Sequence, residues 1–383
     1  YSNLARCLER VLQTRSEIIK MERWCETIFS FGNTIRRFMK ERKLNIDILK
    51  CIAIVFVVAV HFFLHTNYYG RPYTFKSIFL SSFIWMIFMT CVPIFIMTTG
   101  YLMKDKTYSK TYFIKLLPVI GIYCLAASIY TFFDVRVFNI DYLGKLLVNI
   151  FSFSHYAWYV NMYIGLYIMI PFLNAGFKSF NNRRNQAIAL GVLVLLTIFP
   201  ATLSLFNNNE QIFMIVSHLI PDYWKGLWPI TYYLVGAFIA SSKKRSTIKE
   251  LFLVILILDI LSVLGLSVIS GSSFGIEYGV LPVFLLSSLI FYSVIQLRVD
   301  IKNDWLQKVV LFISKNTLPI YLLSVIGDLY WYPKIVEKWG DFANILPKFP
   351  FIVIFLFLQS LFITYVITRV LKFVQSMIVK YNK

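Results

Sequence analysis

Uninterrupted apolar stretches of about 20 residues recur from Ile46 to the C-terminal end, each long enough to cross a hydrocarbon core of about 30 Å. No soluble fold has room for so many. With 58% hydrophobic and 15% charged residues, against roughly 25% charged in soluble domains, 383 residues cannot hide this surface in one core. The bilayer has to act as solvent. The expected spans are approximately 46 to 66, 78 to 102, 112 to 133, 156 to 175, 186 to 206, 227 to 241, 250 to 270, 278 to 297, 317 to 332 and 351 to 371. Together they predict an all-α, polytopic membrane helix bundle of about ten transmembrane helices.

The net charge of +19 does not call for nucleic acid, because the basic residues sit in short connectors and not along one face or groove. With the N-terminus inside, four connectors predicted to be cytoplasmic hold Lys104, Lys106, Lys110 and Lys115; Lys178, Arg183 and Arg184; Lys243, Lys244, Arg245 and Lys249; and Arg298, Lys302, Lys308 and Lys315. The segment Ser270 to Gly275, predicted outside, has no Lys or Arg, and Arg36 to Lys43 and Lys372 to Lys383 are basic. The positive-inside rule then places both termini in the cytoplasm and the chain in the cell (plasma or inner) membrane as a multi-pass protein among lipids. Residues 1 to 42 read as a cytoplasmic or interfacial amphipathic leader, and 43 to 383 as the transmembrane domain. Basic residues beside Trp24, Ile28, Phe29, Phe31 and Phe38 suit a helix on the membrane surface, and Met39 would also serve as a start. Trp305 to Ser314 is a second amphipathic piece. The cysteines, at positions 7, 25, 51, 91 and 124, have neither paired nor metal-type spacing and are expected reduced, with no metal site.

The segment Arg42-Lys-Leu-Asn-Ile-Asp-Ile-Leu-Lys50, followed by ten apolar or small residues and His61, puts ionisable groups where the membrane makes them costly. Lys50 and His61 differ by eleven residues, about three helical turns, so they share a face roughly 16 Å apart along the axis. Asp47 lies on nearly the same face. That reach matches an extended pantetheine arm, so a coenzyme A phosphate near Lys50 would bring its thioester close to His61. The imidazole would then act as general base on an acceptor hydroxyl, or carry the acyl group itself. Three structural readings compete: Lys50 snorkels to the interface, Asp47 caps the helix start, and His61 hydrogen-bonds a neighbouring helix.

These residues resemble the integral-membrane acyltransferase 3 family, whose first helix carries an Asp, a basic residue, ten residues and a His. Further segments are similar in order: Val92-Pro-Ile-Phe-Ile-Met-Thr-Thr-Gly-Tyr101, Phe113-Ile-Lys-Leu-Leu-Pro118, His155-Tyr-Ala-Trp-Tyr-Val-Asn-Met-Tyr-Ile-Gly-Leu-Tyr-Ile-Met-Ile-Pro171 and Ser314-Lys-Asn-Thr-Leu-Pro-Ile-Tyr-Leu-Leu323. The resemblance spans residues 42 to about 371. It implies O-acyl transfer, usually acetyl from acetyl coenzyme A as co-substrate with no permanently bound cofactor, to hydroxyls of exported carbohydrate or a lipid-linked sugar. His61 matches the functional histidine. Three positions depart from the pattern: Lys50 replaces the usual Arg, losing its planar fork, Thr99 replaces the usual Ser before Gly100 and keeps a hydroxyl, and Ser324 stands where many relatives have a second histidine.

The predicted topology groups Thr99, Gly100, Tyr101 and Lys115 with Lys50 at a donor mouth, although the lysines also fix orientation and Gly100 would permit close helix contact. His155, Trp158 and Tyr159 at the outer end of the fourth span, with Tyr321 in the ninth, are the acceptor-side candidates; an aromatic belt at the lipid interface explains the Trp and Tyr equally. Asp259 and Asp328 are intramembrane carboxylates, and either one would orient an imidazole. A competing class is a transporter or flippase for a polysaccharide intermediate, with His61, Asp259 and Asp328 as a proton relay. A nonenzymatic membrane scaffold that recruits a partner through the leader is the third reading, and it leaves the spacing of Lys50 and His61 unexplained.

Overall fold

The computed structural model describes residues 44–69, 75–152, 157–203, 221–241, 277–297 and 299–381, with single residues between 253 and 261. Every regular element among them is helical. In chain order the α-helices are α1 (Leu44–His65), α2 (Phe75–Met89), α3 (Cys91–Met103), α4 (Lys110–Ile114), α5 (Leu117–Val135), α6 (Ile140–Ser152), α7 (Trp158–Ser179) and α8 (Arg183–Leu193). They continue with α9 (Phe199–Leu203), α10 (Trp228–Ala240), α11 (Leu281–Gln296), α12 (Asp304–Lys315), α13 (Thr317–Trp339), α14 (Phe342–Ile345) and α15 (Phe349–Tyr381).

Among the described residues six stretches are long and apolar enough to cross a membrane: Leu44–His65, Ser81–Met103, Lys110–Phe133, Trp158–Ser179, Arg183–Leu203 and Phe342–Val370. The pair α12 and α13, bent by 78°, makes a seventh if counted as one span. The sequence predicts about ten. The difference lies in α10 and α11, which fall where spans are predicted but hold only 13 and 16 residues, and in the predicted span 250 to 270, which lies outside the described residues apart from those single positions. The predicted leader and His155 also lie outside them. An amphipathic helix that the sequence reading lacks, α6, packs on α5 through Tyr142, whose hydroxyl is 2.5 Å from Ser128 Oγ, and through Tyr123, which donates to Asn149 O. The predicted amphipathic piece at 305 to 314 is α12.

In the windows that qualify as spans, 61% of α1 and 67% of Ser81–Met103 are buried, against 28 to 39% elsewhere, so these two helices form the centre. The outer helices turn apolar side chains outward. Along α15, Phe351, Phe355, Leu358 and Phe362 recur at helical spacing and are 48 to 78% exposed, a stripe suited to hydrocarbon. Cys51, Cys91 and Cys124 are free thiols.

Three local devices fix the helices around the centre. The first is a pair of glycines: a Cβ on Gly100 would stand 1.9 Å from Tyr233 O, and one on Gly236 would stand 2.0 Å from Met97 O, so α3 and α10 touch backbone to backbone. Only glycine fits at either position. The second is Asn174 of α7, a buried amide whose Nδ2 donates to Met103 O (2.8 Å) and Lys106 O (2.9 Å) while its Oδ1 accepts from Tyr233 (2.7 Å). It ties the end of α3 to α7 and α10 with its hydrogen-bonding capacity used. The third is the bend at Asn316, whose Nδ2 donates to Phe312 O (2.7 Å) as α12 ends; Pro319 then sits in the first turn of α13, where no backbone N–H is needed.

Gly100→Ala is therefore expected to lower stability by at least the ~1–3 kcal/mol of an ordinary overpacking change. Gly165→Ala, with nothing within 4 Å of the added Cβ, should match or exceed the wild type. Thermal unfolding of the two detergent-solubilised variants checks this, and equal midpoints would contradict the contact.

Candidate active site

Lys50, Val57, Val60 and His61 recur on one side of α1, and all four line a single cavity of about 300 Å³. The facing wall is α3, through Cys91, Val92, Phe95, Thr98, Thr99, Leu102 and Met103. Trp158, Tyr159 and Tyr163 of α7, Tyr278, and Thr317, Leu318 and Tyr321 of α13 contribute most of the remainder. Because α1 is an unbroken helix, the eleven-residue step from Lys50 to His61 means that the cavity runs about 16 Å along it. It has one lysine toward one end, one histidine toward the other, and apolar or aromatic walls between.

At the histidine end, His61 Nδ1 is 2.7 Å from Asp328 Oδ2. The two side chains are 12% and 2% exposed, so the carboxylate is buried against the ring that reaches the cavity. A carboxylate only accepts hydrogen bonds, which puts the shared proton on Nδ1 and makes Nε2 the basic nitrogen of the ring. The arrangement holds an imidazole in one tautomer and one orientation, the role a buried carboxylate plays beside a catalytic histidine. His65, one turn further along α1, brings Nε2 to 3.8 Å from the same carboxylate oxygen and stacks on Tyr332 at 5.0 Å between ring centroids. Sequence reading missed His65, although its place four residues after His61 is the signal for a shared helix face.

The aromatic wall is built from rings that hold one another. Tyr321 meets His61 at 6.2 Å and Tyr159 at 6.1 Å; Tyr159 stacks on Tyr163 at 6.1 Å; Trp158 lies 5.4 Å from Tyr278. Trp158, Tyr159 and Tyr321 thus join His61 around one space. Tyr163 and Tyr278 belong with them and were missed, since nothing in a sequence separates a tyrosine facing a cavity from one facing lipid.

Other predicted residues stand apart. Asp47 does not line the cavity: it is buried, and its Oδ1 accepts from Ser314 at 2.6 Å, tying the first turn of α1 to α12. Gly100 is the close-packing point described above, Tyr101 lies 6.1 Å from the Phe291 ring, and neither lines the cavity. Thr99 does line it, with its hydroxyl bonded to Phe95 O at 2.9 Å. Lys115 is exposed after α4 and outside the cavity, and Asp259 lies outside the described residues. Two contacts join connectors that carry these lysines: Lys178 bonds Asp105 at 2.8 Å, and Lys104 donates to Ser241 at 3.3 Å. The hydrogen bond from Lys178 holds the exposed Asp105 carboxyl below its usual range. Among the described residues no group of three or more His, Cys, Asp or Glu is arranged to hold a metal.

Helices long and apolar enough to span a bilayer, packed around a cavity with a lysine at one end and an oriented imidazole at the other, define a multi-pass membrane protein with an internal site. The chain belongs to the acyltransferase 3 family: the family's model, described as an acyltransferase domain, matches residues 43–369, which include every residue that lines the cavity. No curated protein and no solved structure matches it.

Removing the donor to Asp47 tests the structural role of that residue. Ser314→Ala should cost about 1–3 kcal/mol in thermal unfolding, because the carboxylate stays buried without that bond. A variant as stable as the wild type would show that Ser314 is not needed to hold it.

Proposed function

We propose that this membrane acyltransferase moves an acyl group, acetyl by preference, from acetyl coenzyme A or another acyl coenzyme A to a hydroxyl of an extracytoplasmic carbohydrate or lipid-linked sugar. The donor enters from the cytoplasmic end, and no permanently bound cofactor is required. The observation that carries this reading is that Lys50 and His61 line one cavity from the same side of α1. Lys50 neutralises a donor phosphate at one end, and the arm carries the thioester about 16 Å toward the imidazole.

His61 Nε2 takes the proton of the acceptor hydroxyl as its oxygen attacks the thioester carbonyl; Asp328 keeps Nδ1–H in place and offsets the imidazolium charge. The tetrahedral intermediate collapses, the C–S bond breaks, and the thiolate takes the proton back from His61. An ester and a free thiol leave. Trp158, Tyr159 and Tyr321 offer flat faces and hydroxyls to a sugar ring beside the imidazole. Asp47 positions α1 and does not touch the reacting atoms.

Purified protein with labelled acetyl coenzyme A and a glycan acceptor provides the test. His61→Ala and Asp328→Asn should each slow ester formation by about 10²- to 10⁴-fold, the second because Asn favours the wrong tautomer. Lys50→Ala should raise KM for the donor about tenfold with a smaller change in kcat. Wild-type rates in His61→Ala, or movement of a glycan intermediate that needs no acyl donor, would replace acyl transfer at this site with the transporter reading.

A further inference from the structure

His65 is an ionisable group that the mechanism above leaves without a task. It follows His61 by four residues on α1, just as Tyr332 follows Asp328 by four on α13, so two successive turns of one helix face two successive turns of the other. In the first turn His61 Nδ1 meets Asp328 Oδ2 at 2.7 Å; in the second the His65 ring stacks on Tyr332, with 5.0 Å between centroids and 21° between planes. The stack fixes the ring, and from it Nε2 comes to 3.8 Å from the same Oδ2. The side chain is 31% exposed, yet Nε2 itself is buried and has no hydrogen-bond partner among the described residues. His65 does not line the cavity. It therefore meets Asp328 without meeting the space that would hold the reacting groups.

The chemistry of the facing atoms decides what Nε2 presents. An ionised carboxylate only accepts, so a nitrogen held beside it turns a hydrogen toward it and not a lone pair. Nε2 therefore carries a hydrogen, and His65 is a second N–H directed at an oxygen already bonded to His61. Asp328 has use for a second donor: its side chain is 2% exposed, and among the described residues His61 supplies its one hydrogen bond, whereas a buried carboxylate is costly unless donors surround it. A shift of about 1 Å would bring Nε2 within hydrogen-bond length of Oδ2.

We propose that His65 is a positioning residue for acyl transfer: its Nε2–H steadies the Asp328 carboxylate, so that the carboxylate stays on His61 Nδ1 while the imidazole takes up and returns the proton of the acceptor hydroxyl. This rests on acyl transfer at His61 and adds to it a residue that acts only through Asp328. The stacked face of Tyr332 supports the ring from the turn of α13 that follows Asp328, so one pair of helices carries both the bond to the base and its brace.

Steady-state kinetics of the purified full chain in detergent, with labelled acetyl coenzyme A and a glycan acceptor, test the proposal by separating kcat from KM. His65→Phe keeps a flat ring on Tyr332 and removes both nitrogens; kcat should fall about tenfold while KM for donor and acceptor stays as in the wild type, because His65 lies outside the cavity. His65→Gln, whose side-chain amide puts an N–H near the place of Nε2, should recover most of that loss. Combined with Asp328→Asn, His65→Phe should slow the enzyme little further, since the charge it steadies is gone. Should phenylalanine prevent folding, His65→Leu removes the same nitrogens with a smaller side chain. A wild-type kcat in His65→Phe, a His65→Gln enzyme as slow as His65→Phe, or a full tenfold loss on top of Asp328→Asn overturns the positioning role and leaves acyl transfer at His61 standing. Wild-type protein that forms no ester overturns both.

Discussion

The hydrogen bond between His61 and Asp328 joins the central helix α1 to α13 in a setting from which water is largely shut out. Either group alone would be costly at that depth, and together each supplies what the other lacks. Asp47 and Ser314 make a second tie near the start of α1. The partners in each pair are 267 residues apart in sequence, so α1 and the segment through α12 and α13 advance together between the two ties. The cavity depends on this alignment, because it decides which side of α1 faces inward.

The opposite wall is set by a different kind of contact. Gly100 and Gly236 let α3 lie against α10 without side chains between them, which commits one face of α3 to packing. Thr98, Thr99, Leu102 and Met103 then line the cavity beside it. Asn174 holds the end of the same helix by hydrogen bonds to Met103 and Lys106. The space between α1 and α3 is kept open by attachments made elsewhere, with aromatic rings from α7 and α13 closing its sides.

Much of this was readable in the sequence because helical periodicity is local. The apolar runs located the main helices, and the eleven-residue interval put Lys50 and His61 on one side of α1, where the cavity is found. What was not readable depends on contacts between helices. Asp259 and Asp328 are alike as sequence, and only the packing of α13 on α1 brings Asp328 to the imidazole. Gly100 and Tyr101 belong to a recognisable motif, yet the motif does not reveal that Gly100 meets the backbone of Tyr233. Hydropathy recognised α10 and α11 as spans without showing that they hold only 13 and 16 helical residues.

Held near its start by Ser314 and near its end by Asp328, α1 has little freedom to slide or turn, and the interval between its lysine and its imidazole becomes a fixed gauge. Under the proposed function, a short thiol carrier anchored at the lysine would leave its ester short of the imidazole, and a much longer one would have to fold back within the cavity. Selection among donors would then come from length, measured by the rise of a single helix, in addition to any recognition of the group being carried.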